Sequence, residues 1–217
     1  MSKEIQACSP PEPLITLDFH VTEPPMLPLL LASSSPYRRE LLDRLRLPFV
    51  CASPDIDESR RPNEPAIDLV TRLAREKAMA LAEQFPDHLI IGSDQVAVLG
   101  EQILGKPHTF ECALEQLQAS SGNSVSFLTG LALFNSRTGE CQVDCVPFTV
   151  HMRQLDDVRI SRYLRAEQPY DCAGSFKAEG LGVSLFRSTE GPDATSLIGL
   201  PLIRLVDMLM NEGVELP

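Results

Sequence analysis

The sequence is short of basic residues relative to acidic ones. Its 217 residues include 19 lysines and arginines against 30 aspartates and glutamates, so the formal net charge at neutral pH is −11. A chain this acidic is repelled by a phosphodiester backbone unless its basic residues are concentrated in one place. We therefore expect no nucleic-acid partner.

Long apolar runs are also absent. The longest, from Met26 to Ala32, is far shorter than the ~20 residues that a membrane-spanning helix needs. Hydrophobic residues make up 43% of the chain and charged residues 23%, which is typical of a folded globular protein. These values predict one domain, or one domain with a modest second lobe, and no membrane partner.

Cysteine and histidine pairs with metal-binding spacing are missing. The six cysteines and four histidines are scattered, and no CxxC pair occurs. Cys141 and Cys145 share one face of a predicted strand but lie roughly 13 Å apart along it, too far for a disulfide or a shared zinc ion. Free thiols and the absence of a secretory signal peptide together predict a cytoplasmic protein.

Residues 1–25 differ in composition from the rest of the chain. Five prolines interrupt this segment, which shows neither helical nor strand periodicity. We interpret it as a flexible N-terminal extension. The alternative is a start-site artefact, with Met26 as the initiator. In both cases residues 26–217 form the folded domain.

From Leu27 onwards, predicted strands alternate with predicted helices. The middle strands, 124–135 and 141–152, are read as an antiparallel pair around a turn, so we expect an α/β fold with a mixed sheet. The other strands are predicted at 27–32, 88–92, continuing extended over 96–99, and 181–186. Helices are predicted from Pro36 through Leu45 and at 65–84, 109–120, 156–167 and 201–211.

A candidate anion site follows the first predicted strand. Three serines, including Ser33 and Ser35, precede a helix that begins at Pro36, and Arg38 and Arg39 lie in its first turn. The N–H groups of a helix N-terminus bind anions, whereas two arginines there oppose the helix dipole. A phosphate bound between the arginines resolves the conflict. The alternative is a serine-rich turn whose arginines point into solvent; the Gly-Lys-Ser/Thr ending of a P-loop is absent.

Two lysines are candidates for the same site. Lys77 falls on the apolar stripe of its predicted helix, four residues after Leu73 and four before Leu81. Such a lysine either extends along the apolar surface to the solvent or reaches a polar cavity that holds anions. Lys106, in a tight turn between Gly105 and Pro107, contributes one more positive charge.

Acidic residues near the predicted sheet suggest a metal site. Asp94 follows Ser93 at the end of a predicted buried strand, where open α/β sheets bind their ligands. It could equally cap a turn. Glu58 belongs to an acidic cluster at 55–58, and most such clusters are solvated loops. Across a cleft, Glu58 and Asp94 would offer hard oxygen ligands for Mg²⁺ or Mn²⁺.

The segment from Asp171 to Gly180 combines small residues with an aromatic, a lysine and a glutamate. It is interpreted as a binding loop, although a close-packed strand corner would have the same composition. Its Lys177 joins Arg38, Arg39, Lys77 and Lys106 in a set of five cations. Gathered in one cleft of an acidic protein, they favour a small polyphosphate site over a nucleic-acid groove.

Seven strings in this order and spacing closely resemble the Maf family of nucleotide pyrophosphatases. Two of them, CAGSFKAEG and SDQV, resemble its 7-methyl-GTP pyrophosphatase branch rather than its dTTP/UTP branch. The resemblance covers Leu27 to about Glu212. The strings are SSSPYRREL, RLAREKA, IIGSDQV, GKP, TGLALF, CAGSFKAEG and LIGLPL.

The resemblance implies a fold and an activity. The fold is α/β of the Maf/ITPase-like type: an elongated, twisted mixed β-sheet flanked by helices, with two lobes and a central nucleotide cleft. Members of the family often form homodimers. The activity is metal-dependent hydrolysis of a nucleoside triphosphate, here 7-methyl-GTP, to the monophosphate and pyrophosphate. This would remove non-canonical nucleotides, with Mg²⁺ or Mn²⁺ as the cofactor.

The resemblance also implies residue roles. Asp94 is the proton acceptor, which activates the attacking water, and Tyr37, Gln95 and Glu179 are the positions that select the substrate. Ser33, Arg38 and Arg39 match the phosphate-binding motif, and Glu58, Lys77 and Lys106 match acidic and basic cleft residues. With the Ser35 hydroxyl of the helix start added, the predicted phosphate-binding residues are Ser33, Ser35, Arg38, Arg39, Lys77 and Lys106. The predicted metal ligands are Glu58 and Asp94, because their carboxylates offer hard oxygen ligands.

Three alternatives remain open from the sequence. A non-catalytic nucleotide-binding regulator of cell division or septum formation would need the anion site but not Asp94. A phosphatase would release orthophosphate, and a dTTP/UTP-type pyrophosphatase would prefer other bases. Detecting pyrophosphate as the product separates the enzyme from the first two.

Overall fold

The computed structural model describes residues 26–216, and the predicted N-terminal extension at 1–25 lies outside them. Seven strands and six α-helices form within this range. The strands are β1 (Leu29–Ala32), β2 (Phe49–Ala52), β3 (Leu89–Leu99), β4 (Gln102–Leu104), β5 (Ser124–Asn135), β6 (Cys141–Met152) and β7 (Phe186–Glu190). The helices are α1 (Pro36–Asp43), α2 (Ala66–Met79), α3 (Phe110–Ser120), α4 (Asp157–Glu167), α5 (Ala194–Ile198) and α6 (Leu202–Asn211).

The strands form one open mixed sheet in the order β2-β1-β3-β5-β6-β7, with β4 paired to β3. β1 is parallel to both of its neighbours, whereas β3, β5, β6 and β7 are antiparallel. The expected α/β fold with a mixed sheet, and the antiparallel pairing of the two middle strands, are confirmed. No helix within residues 26–216 combines the length and the apolar character needed to cross a membrane.

β1 is apolar throughout because both of its faces are covered. Leu29 and Leu31 pack with α1 and α6 on one side of the sheet, whereas Leu30 and Ala32 pack with α2 on the other. A third cluster joins α3 and α4 to the far halves of β5 and β6 around Phe127. The sheet is therefore shared by separate hydrophobic clusters along its length.

Two glycines allow α2 to lie unusually close to the sheet. A Cβ added at Gly92 of β3 would come within 2.1 Å of the Ala74 carbonyl oxygen, and one at Gly130 of β5 within 2.1 Å of the Val70 carbonyl oxygen. Neither glycine has a positive φ, so close approach, not conformation, explains the residue type. This contact brings the helix that carries Lys77 against the strand that carries Asp94.

The structure differs from the predicted elements in three places. Residues 181–186 are not a strand: Leu181–Leu185 is a short 3₁₀ helix and β7 begins at Phe186. Here the chain folds back, and the Lys177 carbonyl accepts from the N–H of Gly182. The extended residues at 88–92 and 96–99 form one continuous strand, and α2 ends at Met79, not at 84. The short elements β2, β4 and α5 had not been predicted.

Candidate active site

One cavity of about 620 Å³ lies where the hydrophobic clusters meet. Its wall is built by the end of β1, the start of α1, one face of α2, the middle of β3, the turn at Lys106 and the segment 171–179. The structure thus brings together ten of the eleven predicted site residues. They are Ser33, Ser35, Tyr37, Arg38, Glu58, Lys77, Asp94, Gln95, Lys106 and Glu179.

Arg39 is not among the residues that line this cavity. It lies on a separate shallow groove with Asp43 and the edge strand β2. Successive residues of a helix point about 100° apart, so Arg38 and Arg39 face different sides of α1. Lys177 is also directed elsewhere, since its Nζ lies 3.8 Å from a carboxylate oxygen of Glu167. The expected set of five gathered cations is therefore reduced to Arg38, Lys77 and Lys106.

The start of α1 is organised by its serines. The Ser35 hydroxyl accepts from the Arg38 N–H at 3.4 Å as the helix N-cap, and the Ser33 hydroxyl accepts from the Ser35 N–H at 3.1 Å. Pro36 occupies the first helical position, as predicted. The three-serine turn thus places hydroxyl and N–H groups along one wall of the cavity.

Arg38 turns its guanidinium into the cavity instead of into solvent. Its Nε donates to the Gly199 carbonyl at 2.8 Å, and no other hydrogen bond of its side chain is found within residues 26–216. Burial lowers the pKa of Arg38, and the carboxylates of Asp94 and Glu58 oppose this shift. Two terminal nitrogens therefore remain available to an anion, which would compensate the lost hydration.

Lys77 joins two carboxylates at the centre of the cavity. Its Nζ lies 2.7 Å from Asp94 Oδ1 and 3.1 Å from Glu58 Oε1. Lys77 is only 6% exposed, so it does not extend to the solvent. Asp94 lies inside the continuous strand β3 and is buried, which excludes its alternative role as a turn cap. Glu58 reaches the site from a segment without regular structure.

Glu58 and Asp94 fit a divalent cation that is shared with a substrate. Because both carboxylates contact one ammonium group, their oxygens are close neighbours. Mg²⁺ is usually bound by one or two carboxylates together with substrate phosphates, not by an all-protein cage. No group of three or more potential ligands occurs in the described part of the chain.

Comparison with known proteins assigns the family. The model of the Maf-like protein family matches residues 28–212, most of the chain. The chain belongs to the Maf family. A relative from Pseudomonas fluorescens (strain Pf0-1), named 7-methyl-GTP pyrophosphatase, is 81% identical over 192 residues, which are 88% of this chain and 100% of the relative.

More distant Maf relatives carry the same name. A 7-methyl-GTP pyrophosphatase from Pseudomonas aeruginosa (strain PAO1) is 72% identical over 189 residues, 87% of this chain and 98% of the relative. One from Alcanivorax borkumensis (strain SK2) is 60% identical over 189 residues, 87% of this chain and 96% of the relative. The family predicted from the seven strings is confirmed.

One part of the Maf cavity combines Tyr37 with the acidic side chains Asp171 and Glu179. Burial, together with Cys172, Asp171 and Glu179, raises the pKa of Tyr37 to about 12, so its phenol stays protonated at neutral pH. Burial and the Asp171 carboxylate raise the pKa of Cys172 to about 12, so this thiol is also neutral. Phe176 of the same segment packs edge-on against Phe127 in the core. The segment 171–180 thus lines the cavity and also packs against the core, so both interpretations of it apply.

Gln95 is held by residues that sequence reasoning missed. Its Nε2 donates to the Thr129 hydroxyl and to the carbonyls of Ser196 and Leu197. Thr129 and Leu197 begin two of the strings that resemble the Maf family, TGLALF and LIGLPL, and that position was the only available signal. Asp171 opens the segment that was interpreted as a binding loop, but no individual role had been inferred for it.

Proposed function

We propose that this Maf protein hydrolyses 7-methyl-GTP to 7-methyl-GMP and pyrophosphate. The observation that carries the proposal is the composition of its cavity wall, which combines the cations Arg38, Lys77 and Lys106 with Tyr37 and acidic side chains. The substrate has complementary groups, an anionic triphosphate joined to a base that methylation makes cationic. The relatives named 7-methyl-GTP pyrophosphatase support the same assignment.

Asp94 is proposed to activate the water that attacks the α-phosphorus. Its Oδ1 is held by Lys77, whereas no hydrogen bond to its Oδ2 is found within residues 26–216. Oδ2 is thus the oxygen available to accept a proton from water. The water oxygen bonds to the α-phosphorus, the α–β anhydride bond breaks, and pyrophosphate leaves.

Cations stabilise the charge that develops on the departing pyrophosphate. Arg38 offers two unengaged nitrogens, Lys77 is fixed between two carboxylates, and Lys106 adds a further charge from its turn. Lys77 is buried, so its charge stabilises a developing anion more than it would in bulk solvent. A divalent cation held by Glu58 and Asp94 would supply additional neutralisation of phosphate oxygens.

Tyr37 and Glu179 are proposed to recognise the base. A 7-methylated guanine is cationic, and an aromatic face attracts a cation. The guanine edge carries adjacent N1–H and N2–H₂ donors, which one carboxylate can accept in parallel. The negative charges of Asp171 and Glu179, both on the cavity wall, add an attraction that applies only to the charged base.

Product detection with a panel of nucleotides tests the proposed reaction. The purified protein is incubated with 7-methyl-GTP, GTP, dTTP and UTP, with Mg²⁺ and with Mn²⁺, and pyrophosphate and orthophosphate are measured separately. We expect pyrophosphate, with the highest kcat/KM for 7-methyl-GTP. Orthophosphate alone would identify a phosphatase, and binding without turnover would identify a regulator. A higher value for dTTP or UTP would place the chain in the other branch.

Two substitutions test the recognition of the base. Glu179→Gln places an amide donor opposite a guanine donor, so the kcat/KM ratio of 7-methyl-GTP to UTP should fall. Tyr37→Ala should lower the rate with 7-methyl-GTP more than with GTP, because a cation–π contribution of roughly 0.5–2 kcal/mol applies only to the charged base. Glu101→Gln, at an exposed turn, is the control. Equal losses for all nucleotides would contradict base recognition by these residues.

We also propose a reducing compartment and a homodimer. The five cysteines of the described chain are all free thiols, as expected for a cytoplasmic protein. The homodimer rests on the family resemblance alone. Light scattering after gel filtration distinguishes a dimer from the 23.9 kDa monomer.

A further inference from the structure

The side-chain amide of Gln95 has all its donors engaged on one side. Its Nε2 lies 2.9 Å from Thr129 Oγ1, 2.6 Å from the Ser196 carbonyl oxygen and 3.2 Å from the Leu197 carbonyl oxygen. An amide nitrogen has two hydrogens, so three acceptors fully occupy it. Oε1 has no partner within residues 26–216, and it is not sealed from solvent, since no buried side-chain oxygen there lacks a hydrogen bond. Gln95 itself lines the cavity.

The direction of this amide is determined by its neighbours. The two backbone carbonyls can only accept, so an inverted amide would place oxygen against oxygen. The Thr129 hydroxyl could act in either sense, but its proton is donated to the Ser196 carbonyl at 2.9 Å. A lone pair of Thr129 Oγ1 therefore faces Gln95. Thr129 is completely buried, so water cannot replace its hydroxyl.

We infer that Thr129 is a positioning residue, which together with the Ser196 and Leu197 carbonyls turns Gln95 Oε1 towards the cavity as a fixed acceptor. This inference rests on the proposed function, because the group that meets Oε1 is the second hydrogen of the 2-amino group, which Glu179 leaves unpaired. Guanine offers adjacent N–H donors on one edge. Uracil and thymine offer one N–H between two carbonyl oxygens, and a fixed acceptor opposes those oxygens.

Xanthosine triphosphate is the probe for the direction of the Gln95 amide. It replaces the 2-amino group of guanine with a carbonyl oxygen, so it presents an acceptor where guanine presents a donor. A fixed Gln95 carbonyl should reject it, and an amide that is free to invert should tolerate it. The measured quantity is the kcat/KM ratio of GTP to xanthosine triphosphate in each variant.

Thr129→Val removes the hydroxyl but keeps the shape of the side chain. We expect the ratio to fall roughly tenfold, the effect of one hydrogen bond. Thr129→Ser, which retains the hydroxyl, should restore it. Thr149→Val makes the same change at a threonine of β6 that pairs with Ser126 outside the cavity, and the ratio should stay unchanged.

A double substitution shows whether Thr129 acts through Gln95. Gln95→Met should lower the ratio on its own, and adding Thr129→Val should lower it no further, because the two residues form one unit. An unchanged ratio in Gln95→Met would overturn the inference, even if Thr129→Val failed to fold. So would equal losses for both nucleotides in Thr129→Val. Failure of the wild-type protein to release pyrophosphate from any nucleotide would instead overturn the proposed function.

Discussion

The two oxygens of Asp94 have different surroundings. Oδ1 contacts Lys77 at 2.7 Å, and this bond fixes the orientation of the carboxylate in a buried strand. Oδ2 is left to face the cavity. A general base needs both conditions, a fixed direction and a free lone pair within reach of a water molecule. At the scale of the single residue, Lys77 thus orients Asp94, the proposed base, as well as adding positive charge.

Asp94→Asn should abolish turnover while the protein stays folded. An amide has nearly the same shape, but it cannot accept the proton from water, so kcat should fall by at least the ~10²–10⁴-fold attributed to general base catalysis. Steady-state kinetics measures the loss, and a urea unfolding curve checks the fold. A variant that keeps more than about a tenth of the wild-type rate would remove Asp94 from this role.

Arg38→Ala and Lys77→Ala should each weaken catalysis more than a matched surface change. Each removes a charge-assisted contact to phosphate worth ~1.5–3 kcal/mol of transition-state stabilisation. The control is Arg137→Ala, because Arg137 is exposed and pairs with Asp87 on the surface, at 2.8 Å. Measured kcat/KM values near normal in both site variants would mean that the phosphates bind elsewhere.

At the scale of the element, the sequence predicts best what depends on neighbouring residues. The apolar run of β1 and the beginning of α1 at Pro36 are local signals, and the structure has both. The apolar stripe of α2 singled out Lys77 but left open whether its side chain reaches solvent or a polar cavity, and the structure places it in the cavity. The strand expected at 181–186 was wrong because a backbone turn from Lys177 decides that segment.

Contacts between distant segments could not be predicted in this way. Gln95 and Ser196 are 101 positions apart, and the helix α5 that supplies the Ser196 carbonyl has only five residues. The close approach of α2 to Gly92 and Gly130 is likewise a tertiary contact, and a glycine in a strand has several explanations. Such features are determined by packing, which periodicity does not encode.

An ion pair fastens the segment of Glu58 to α2. Glu64 accepts from Arg72 Nε at 2.6 Å and from the Arg61 N–H at 3.0 Å, and Arg72 also donates to the Ser59 carbonyl at 3.1 Å. These bonds fix the residues that immediately follow Glu58. The same bonds attach these residues to α2, the helix that carries Lys77. Both Glu58 and Lys77, which form the ion pair in the cavity, are therefore held by α2.

The Glu64 ion pair should make stability depend on pH in a defined direction. Hydrogen bonding to Arg72, with smaller contributions from Arg61, lowers the pKa of Glu64 to about 2. A lowered folded-state pKa contributes stability that is complete above the unfolded value of about 4.3 and is lost as the pH falls towards 2. Wild-type urea midpoints should therefore approach those of Glu64→Gln as the pH decreases from about 6 to 2.5.

Glu101→Gln, at an exposed turn, is the matched control for this titration. Its urea midpoints should stay parallel to those of the wild type across the same pH range. If the profiles of Glu64→Gln and the wild type were also parallel, Glu64 would bind its proton with equal strength in the folded and the unfolded chain. The ion pair would then not hold the Glu58 segment.

At the scale of the whole molecule, an acidic protein encloses a site where charges of both signs meet. The formal net charge is −11, and the cavity is lined by three cations, Arg38, Lys77 and Lys106, together with four carboxylates, Glu58, Asp94, Asp171 and Glu179. Charges farther apart than about 8 Å are largely screened at physiological ionic strength, so a phosphate beside these cations is little affected by the distant acidic surface. A chain whose composition argues against a nucleic-acid partner can therefore still bind a triphosphate.

Removal of residues 1–25 should leave stability and activity unchanged. The Maf match covers residues 28–212 and does not include the first 25 residues. The relative from Pseudomonas fluorescens (strain Pf0-1) aligns along 100% of its own length with only 192 residues of this chain. A chain of residues 26–217 should therefore unfold at the same urea midpoint and keep kcat/KM within about twofold.

The control removes a shorter segment from the other end. Deleting residues 202–217 takes away α6, whose Leu205, Met208 and Leu209 are completely buried against the sheet, so this chain should fail to fold. Circular dichroism and the pyrophosphate assay are applied to both truncated proteins. If the chain of residues 26–217 also lost its structure or most of its activity, the first 25 residues would be part of the folded enzyme and not an extension of it.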